Sequence, residues 1–139
     1  SSPRVEREAE LASLREAAES YYAAASAKDR DAVVAFYDAD AVLVPPGAER
    51  VEGPEEIRAY RFGFIETEGI SLEFEILRAE VSASGDMGWT LANGDITIDN
   101  GDAPPGKDLV RDYHMWHKQT DGSWKVIVDF WNSEPVSDN

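Results

Sequence analysis

This chain lacks cysteine altogether, which excludes disulfide bonds, thiolate metal sites and cysteine nucleophiles. Histidine is scarce as well, and the 139 residues include only His114 and His117. No apolar run approaches the roughly 18 residues that a membrane-spanning helix needs. We therefore expect no thiol chemistry and no membrane partner.

Positive charge is the other shortage, because 13 Lys and Arg residues stand against 28 Asp and Glu residues, a net charge of −15. Proteins bind the phosphate backbone mainly through Lys and Arg, so this balance makes nucleic acid a poor partner. A solvated acidic surface is the simplest explanation of the charge. The chain begins at Ser1 without an initiator Met, which is compatible with a soluble cytoplasmic protein or one exported after processing.

The spacing of apolar residues changes along the chain and predicts a single domain over residues 1–139. Apolar side chains three and four residues apart predict a long first helix. Asp29 or Asp31 is expected to cap a second, short helix, and Pro54 is typical of the start of a third, so the helical part covers residues 3–66. A short strand over residues 41–44 is expected between them, after a turn at residues 38–40.

From residue 71 to residue 133 the apolar residues alternate with polar ones, which predicts four antiparallel strands. The Asp121-Gly122 pair is typical of the tight turn that joins the last two. Three helices followed by a mostly antiparallel sheet form an α+β layout. The sequence therefore predicts three N-terminal helices that cover one face of a curved sheet.

The last two strands carry polar groups where a plain core would carry aliphatic ones. Because side chains on a strand alternate between two faces, Asp112, His114 and Trp116 share one face of the first of these strands. The same alternation divides the second strand into two sets. These sets are Ile127, Asp129 and Trp131 on one face, and Val126, Val128 and Phe130 on the other.

Three stretches, residues 27–46, 53–60 and 121–133, resemble in this order and spacing the motifs of a known superfamily. It is the nuclear transport factor 2-like superfamily, specifically the SnoaL-like proteins and ketosteroid isomerase homologues. The resemblance covers nearly the whole chain. It implies a cone-shaped, cystatin-like α+β barrel with a pocket inside, and a homodimer formed through the outer face of the sheet. Isomerases, cyclases, dehydratases, ligand-binding domains and assembly modules all occur in this superfamily.

The resemblance also shows which ketosteroid isomerase residues this chain retains. The helix tyrosine of those enzymes falls on Tyr21, their base on Pro45, and their protonated carboxylic acid on His114. Proline cannot take a proton, so the isomerase machinery is not present as such. We therefore expect no appreciable steroid isomerase activity.

The predicted catalytic residues are His114, Asp112, Asp129 and Tyr21. Imidazole titrates near neutral pH, and a neighbouring carboxylate can fix its tautomer, so the histidine is a candidate general base. The alternative is a buried polar network that only satisfies its own hydrogen bonds. The two carboxylates and the imidazole could also supply a facial set of metal ligands. We expect neither a metal nor any other cofactor.

A second set of residues is predicted to line the ligand pocket, mostly through aromatic side chains. This set consists of Trp116, Trp131, Ile127, Tyr60, Arg61, Trp89 and Asn93. Tyr21 and Tyr22 point about 100° apart on a helix, so we expect one of them to reach the pocket.

The functional hypothesis is a domain that binds a small, largely apolar molecule and transforms it by acid/base chemistry. The alternatives are a non-catalytic ligand-binding module and a dimeric assembly module. An apolar set on the outer sheet face supports a homodimer, because a patch of this kind is seldom left uncovered. Its members are Tyr113, Met115, Val128 and Phe130.

Overall fold

The computed structural model describes residues 3–65 and 67–135, with side chains described for residues 6–60 and 67–135. Within these ranges the chain forms three helices and six strands. The helices are α1 Pro3–Ser26, α2 Arg30–Ala35 and α3 Gly53–Ile65. The strands are β1 Tyr37–Val44, β2 Val51–Glu52, β3 Ile70–Val81, β4 Met87–Ile98, β5 Gly106–Lys118 and β6 Trp124–Glu134. The predicted α+β class is confirmed.

The helices form where the apolar spacing places them. Leu14, Ala18 and Tyr21 are buried along one side of α1, which packs against β3. The side chain of Asp29 caps α2 by accepting a hydrogen bond of 3.2 Å from the backbone N–H of Ala32. No helix in the described part of the chain combines the length and the apolar character needed to cross a lipid bilayer.

The six strands form one mixed sheet in the order β2-β1-β6-β5-β4-β3. β1 and β6 run parallel, and the other neighbouring pairs run antiparallel. β2 and β3 form the two edges, so the sheet is open rather than closed into a barrel. The predicted cone-shaped arrangement of helices on a curved sheet is thus present with an open edge on each side.

β1 begins earlier than expected, because residues 38–40 belong to the strand rather than to a separate turn. Tyr37 pairs with Val126 and Val42 pairs with Val128, so the register shifts between them. The Asp38 carboxylate accepts a hydrogen bond of 3.0 Å from the backbone N–H of Asp40, a local contact that is also typical of turns. This irregular start brings the Tyr37 side chain into the core, where it is 4% exposed.

A second irregularity lies in β6 and corrects the predicted division of its faces. Trp116 pairs with Val126 and Met115 pairs with Val128, so Ile127 is an additional residue in β6. Such a bulge shifts the alternation by one residue. Val126 and Asp129 are therefore both fully buried, while Ile127 is only partly buried. The prediction that Ile127 shares the inward face with Asp129, and Val126 the outward face with Phe130, is wrong.

The apolar core has two parts. The larger lies between α1, α3 and the middle of the sheet, and the smaller contains Leu72, Ile96 and Val110. Phe74 and Trp131 are partly buried and pack against both parts. These two aromatic side chains therefore lie between the two parts of the core.

Candidate active site

A buried polar cluster lies at the centre of the sheet, on β5 and β6. Asp112 and His114 are two residues apart on β5, and Asp129 stands directly opposite His114 on β6. The side chains of His114 and Asp129 are completely buried, whereas the side chain of Asp112 is 8% exposed. The structure thus brings together the histidine and both carboxylates that were predicted to be catalytic.

One nitrogen of the imidazole contacts both carboxylates. His114 Nε2 lies 3.0 Å from Asp112 Oδ2 and 3.1 Å from Asp129 Oδ1. Its N–H is not aligned with either oxygen as a hydrogen bond requires, so we describe these contacts as a shared ion pair. Asp112 Oδ1 and His114 Nδ1 are buried and have no hydrogen-bond partner among the described residues.

Three tyrosine hydroxyls surround the carboxylates. Tyr22 donates a hydrogen bond of 3.1 Å to Asp112 Oδ2, and Tyr37 donates one of 2.7 Å to Asp129 Oδ2. The hydroxyls of Tyr21 and Tyr37 are 2.7 Å apart. The hydroxyl of Tyr37 thus links the catalytic candidate Tyr21 to Asp129.

The two consecutive tyrosines of α1 also hold the imidazole ring from two sides. Tyr22 stacks on His114 with the ring centroids 5.6 Å apart, and Tyr21 meets the same ring edge-on at 4.8 Å. We expected only one of the two to reach the site. Both do, because the histidine lies in the angle between two side chains about 100° apart on the helix.

The electrostatics of the cluster follow from burial and from the short charge separations. Burial lowers the pKa of His114, but Asp112 and Asp129 outweigh it and raise that pKa to about 10. Burial, followed by the charge of Asp129, raises the pKa of Asp112 to about 6, although His114 acts in the opposite direction. Burial also raises the pKa of Tyr22 well above its usual value. At neutral pH the histidine is therefore an imidazolium, and Asp112 titrates near neutrality.

The same three side chains have the donor types of a small metal site. Ligand atoms of Asp112, His114 and Asp129 lie within 4.8 Å of one another. The imidazolium already places a positive charge between the carboxylates, and Tyr22 and Tyr37 donate to them. An ion-pair network therefore accounts for the observed distances, and the expected absence of a metal stays a prediction.

Aromatic side chains lie next to the cluster in the sheet and on α1. Trp131 stands opposite Asp112 in the β5–β6 register, and the ring of Tyr60 lies 6.0 Å from that of Trp131. Phe74 stacks on Tyr22 with the ring centroids 4.6 Å apart. Gly94 allows this packing, because an added Cβ there would lie 2.7 Å from the Phe74 ring. Tyr60, Phe74 and Trp131 are all partly buried.

A cleft approaches the cluster between α1 and β3. Its volume is about 430 Å³, and Tyr22, Phe74 and Ile76 are among the residues that line it. Typical ligand sites in proteins have volumes of about 300–1,000 Å³. The volume of the cleft thus lies within this range, and Tyr22, which lines the cleft, is hydrogen-bonded to Asp112.

The remaining ligand-binding candidates lie elsewhere. Trp116 is completely buried and donates a hydrogen bond of 2.9 Å to Thr90 Oγ1, so it fills the core. Trp89 and Asn93 lie on the face opposite His114, because it is Thr90 that pairs with His114 on β4. Their predicted place in the pocket is wrong. Arg61 was also predicted to line the pocket, and its side chain lies outside the described residues.

Two contributors to the site were not predicted as such. Neither Tyr37, at the start of β1, nor Phe74, on β3, is among the site residues that the sequence predicts. The only sequence signal for Tyr37 was its residue type, since a buried tyrosine hydroxyl usually finds a partner. Phe74 had no such signal, because its role depends on stacking against Tyr22 from another element.

Solved structures of similar fold support this architecture. A ketosteroid isomerase-like protein from Erwinia carotovora atroseptica has 24% identity, with 91% of this chain and 98% of that chain covered, at a TM-score of 0.79. For a putative scytalone dehydratase from Novosphingobium aromaticivorans the identity is 14%, the coverage 98% and 91%, and the TM-score 0.80. For a putative dehydratase of the NTF2-like family from Streptomyces avermitilis these values are 19%, 94% and 99%, and 0.74.

At these identities the likeness establishes the fold and leaves the chemistry to the site itself. No curated protein matches this sequence significantly. The SnoaL-like domain family matches residues 14–129, a range that includes every member of the buried cluster. The chain therefore belongs to the SnoaL-like family, within the NTF2-like fold.

Proposed function

We propose that this protein binds a small, largely apolar molecule next to Asp112 and transforms it by acid/base chemistry, with Asp112 as the proton acceptor. The observation that supports this most is the state of that carboxyl group. It is the member of the cluster that retains exposure, its Oδ1 has no hydrogen-bond partner among the described residues, and its pKa is raised to about 6. A group that titrates near the working pH is well suited to exchange protons with a substrate.

The geometry supports Asp112 rather than His114 as the base. A pKa of about 10 keeps His114 protonated at neutral pH, so its contribution is a fixed positive charge. The carboxyl group of Asp112 accepts a proton from the substrate, while its Oδ2 stays in contact with the imidazolium and with Tyr22. The proton then returns to a different atom of the same molecule, which is isomerisation, or leaves with a departing hydroxyl group as water, which is elimination.

The surroundings support the class of ligand. The aromatic rings of Tyr60, Phe74 and Trp131 favour an apolar body, and the carboxylate of Asp112 favours a hydrogen-bond donor on it. Two carboxylates with one imidazolium leave a net negative charge, which disfavours anionic ligands. Pro45, which falls where the ketosteroid isomerases have their base, is buried directly after β1. The expected absence of steroid isomerase activity stays a prediction.

The proposal is tested first by binding. Native mass spectrometry of the purified protein identifies a co-purified ligand, and Trp131→Ala should release it. Trp89→Ala is the matched control, because that tryptophan lies on the opposite face of the sheet and should leave the ligand bound. Equal loss from both variants, or no small apolar ligand in the wild-type protein, contradicts the proposed site.

Chemistry is tested with the identified ligand in D₂O. The wild-type protein should exchange a substrate hydrogen for deuterium, and Asp112→Asn should slow that exchange by about 100-fold or more while binding persists. Exchange at the wild-type rate in Asp112→Asn would rule out Asp112 as the base. Binding without exchange in the wild type would support the non-catalytic ligand-binding alternative.

The outer face of the sheet supports a proposal about assembly. Val44, Phe130, Tyr113 and Leu91 form one cross-strand row over β1, β6, β5 and β4. Val44 is 42% and Phe130 45% exposed, and the rings of Tyr113 and Phe130 are 4.8 Å apart. We propose that this row, called the outer-face patch below, is the contact surface of a homodimer.

A further inference from the structure

The two carboxylates beside His114 are held by hydrogen bonds of different strength. Tyr37 donates to Asp129 at 2.7 Å, whereas Tyr22 donates to Asp112 at 3.1 Å. A hydroxyl has one hydrogen, and Tyr37 uses it on Asp129, so Tyr21 donates the 2.7 Å hydrogen bond to Tyr37. Hydrogen bonds in such a chain polarise and strengthen one another.

A donor that approaches a carboxylate closely stabilises its ionised form. We propose that Tyr37 is a positioning residue that keeps Asp129 ionised, so that Asp112 alone gains and loses the proton beside the ligand. This inference rests on the proposed function of Asp112. Tyr37 is buried behind Asp129 and acts through it, without touching the ligand.

The charged and titratable groups that face the two carboxylates come from four elements. They are Tyr21 and Tyr22 on α1, Tyr37 on β1, Asp112 and His114 on β5, and Asp129 on β6. Among the described residues in contact with the carboxylates, His114 is the one cation. A single imidazolium cannot neutralise two carboxylates, so as the pH falls the first proton enters one of them.

The geometry decides which carboxylate takes that proton. Asp129 has the shorter hydrogen bond and a second tyrosine behind it, and these donors favour its ionised form against the opposing effect of its burial. Asp112 has the longer bond, and its Oδ1 has no hydrogen-bond partner among the described residues, so its ionised form is less stabilised. The raised pKa of Asp112, about 6, agrees with this assignment. The change of charge is thereby confined to the carboxyl group of the pair that retains exposure.

Removing one hydroxyl tests the assignment without any ligand. The Tyr37→Phe variant keeps the ring and loses the 2.7 Å hydrogen bond to Asp129. Carbon-13 NMR of labelled aspartate carboxyl groups, assigned with Asp112→Asn and Asp129→Asn, follows each group through a pH titration. In the wild-type protein only Asp112 of the pair should titrate, with a midpoint near 6. In Tyr37→Phe the proton occupancy of Asp129 relative to Asp112 should rise about tenfold, equivalent to one pKa unit.

Tyr22→Phe is the matched control. It removes the 3.1 Å hydrogen bond to Asp112, so the titration should stay on Asp112 and its midpoint should rise. Tyr21→Phe leaves Tyr37 in place and should shift occupancy toward Asp129 by a smaller amount. It serves as the second variant should Tyr37→Phe not fold.

The inference is overturned by either of two results. One is an Asp129 that stays ionised in Tyr37→Phe while Asp112 titrates as in the wild type. The other is an equal titration of both carboxyl groups in the wild-type protein. A failure of the proposed function can be told apart from these results. In that case the titration shifts as expected, but the protein shows no deuterium exchange. Conversely, exchange that depends on Asp112 with an unchanged titration in Tyr37→Phe would retain the function and reject the role of Tyr37.

Discussion

At the scale of single residues, His114 shows how burial and charge compete. Desolvation disfavours the charged imidazole, yet carboxylates at 3.0 Å and 3.1 Å raise its pKa from 6.5 to about 10. The two buried carboxylates therefore need the positive charge of His114 to compensate their own charges. Without it, Asp112 and Asp129 would face one another inside the core.

The first residue-scale prediction concerns stability. His114→Leu should lower the free energy of unfolding by about 3–5 kcal/mol, because it leaves two buried carboxylates without their cation. His117→Leu is the control, since His117 is partly exposed on the other face of β5, and it should cost about 1 kcal/mol or less. Urea unfolding measures both variants. Equal losses would show that the imidazolium does not stabilise the cluster.

The second residue-scale prediction concerns pH. The folded-state pKa of His114, about 10, lies above its ordinary value of 6.5, so the folded protein binds more protons between these values. The stabilisation is complete below the lower value and is lost as the pH rises toward the upper one. The free energy of unfolding should therefore fall from about pH 7 to about pH 9.

Urea unfolding at these two pH values checks this fall, and His114→Leu should abolish it. The acidic range is less suitable for the test, because several exposed carboxyl groups have lowered pKa values and act in the opposite direction there. They are Asp31, Asp86 and Asp121. A wild-type protein that is equally or more stable at the higher pH would contradict the imidazolium assignment.

At the scale of elements, the packing of β3 on β4 controls the aromatic side of the site. Gly94 pairs with Phe74, and the missing Cβ leaves room for the Phe74 ring. Gly94→Ala should cost about 1–3 kcal/mol, because the ring must move in a packed region. It should also weaken ligand binding, since Phe74 stacks on Tyr22.

Gly106→Ala is the matched control for this substitution, because its added Cβ would meet nothing closer than 3.6 Å. Thermal unfolding and ligand binding are measured for both variants. If Gly94→Ala behaves like Gly106→Ala, the Phe74 contact does not shape the site.

At the scale of the whole molecule, the outer-face patch predicts association. Sedimentation at micromolar concentration should show a dimer, and Phe130→Asp should weaken it about tenfold or more, or 1.4 kcal/mol. Leu77→Asp is the control, because Leu77 is 47% exposed on the edge strand β3, outside the patch. A wild-type monomer, or equal effects of both substitutions, would reject the outer-face patch as the interface.

Much of the architecture was determined by local pattern in the sequence. The spacing of Leu14, Ala18 and Tyr21 dictates the buried stripe of α1, and Asp29 caps α2 through its own side chain. Asp112 and His114 share a face because they lie two residues apart in a stretch of β5 whose register with β6 is regular. Each of these features depends on residues close together in the chain.

Only the tertiary structure decided how the site is completed. Tyr37 joins it beside a register shift in β1, and the bulge at Ile127 in β6 buries Val126 as well as Asp129, because a bulge depends on how the neighbouring strand pairs and on which side chains can be buried. Trp89 was misplaced for a related reason, because alternation separates two faces without showing which one meets the helices. The protonation of His114 likewise depends on two carboxylates whose distances exist only in the folded chain. Local periodicity thus determined the elements, while non-local pairing and burial determined the chemistry.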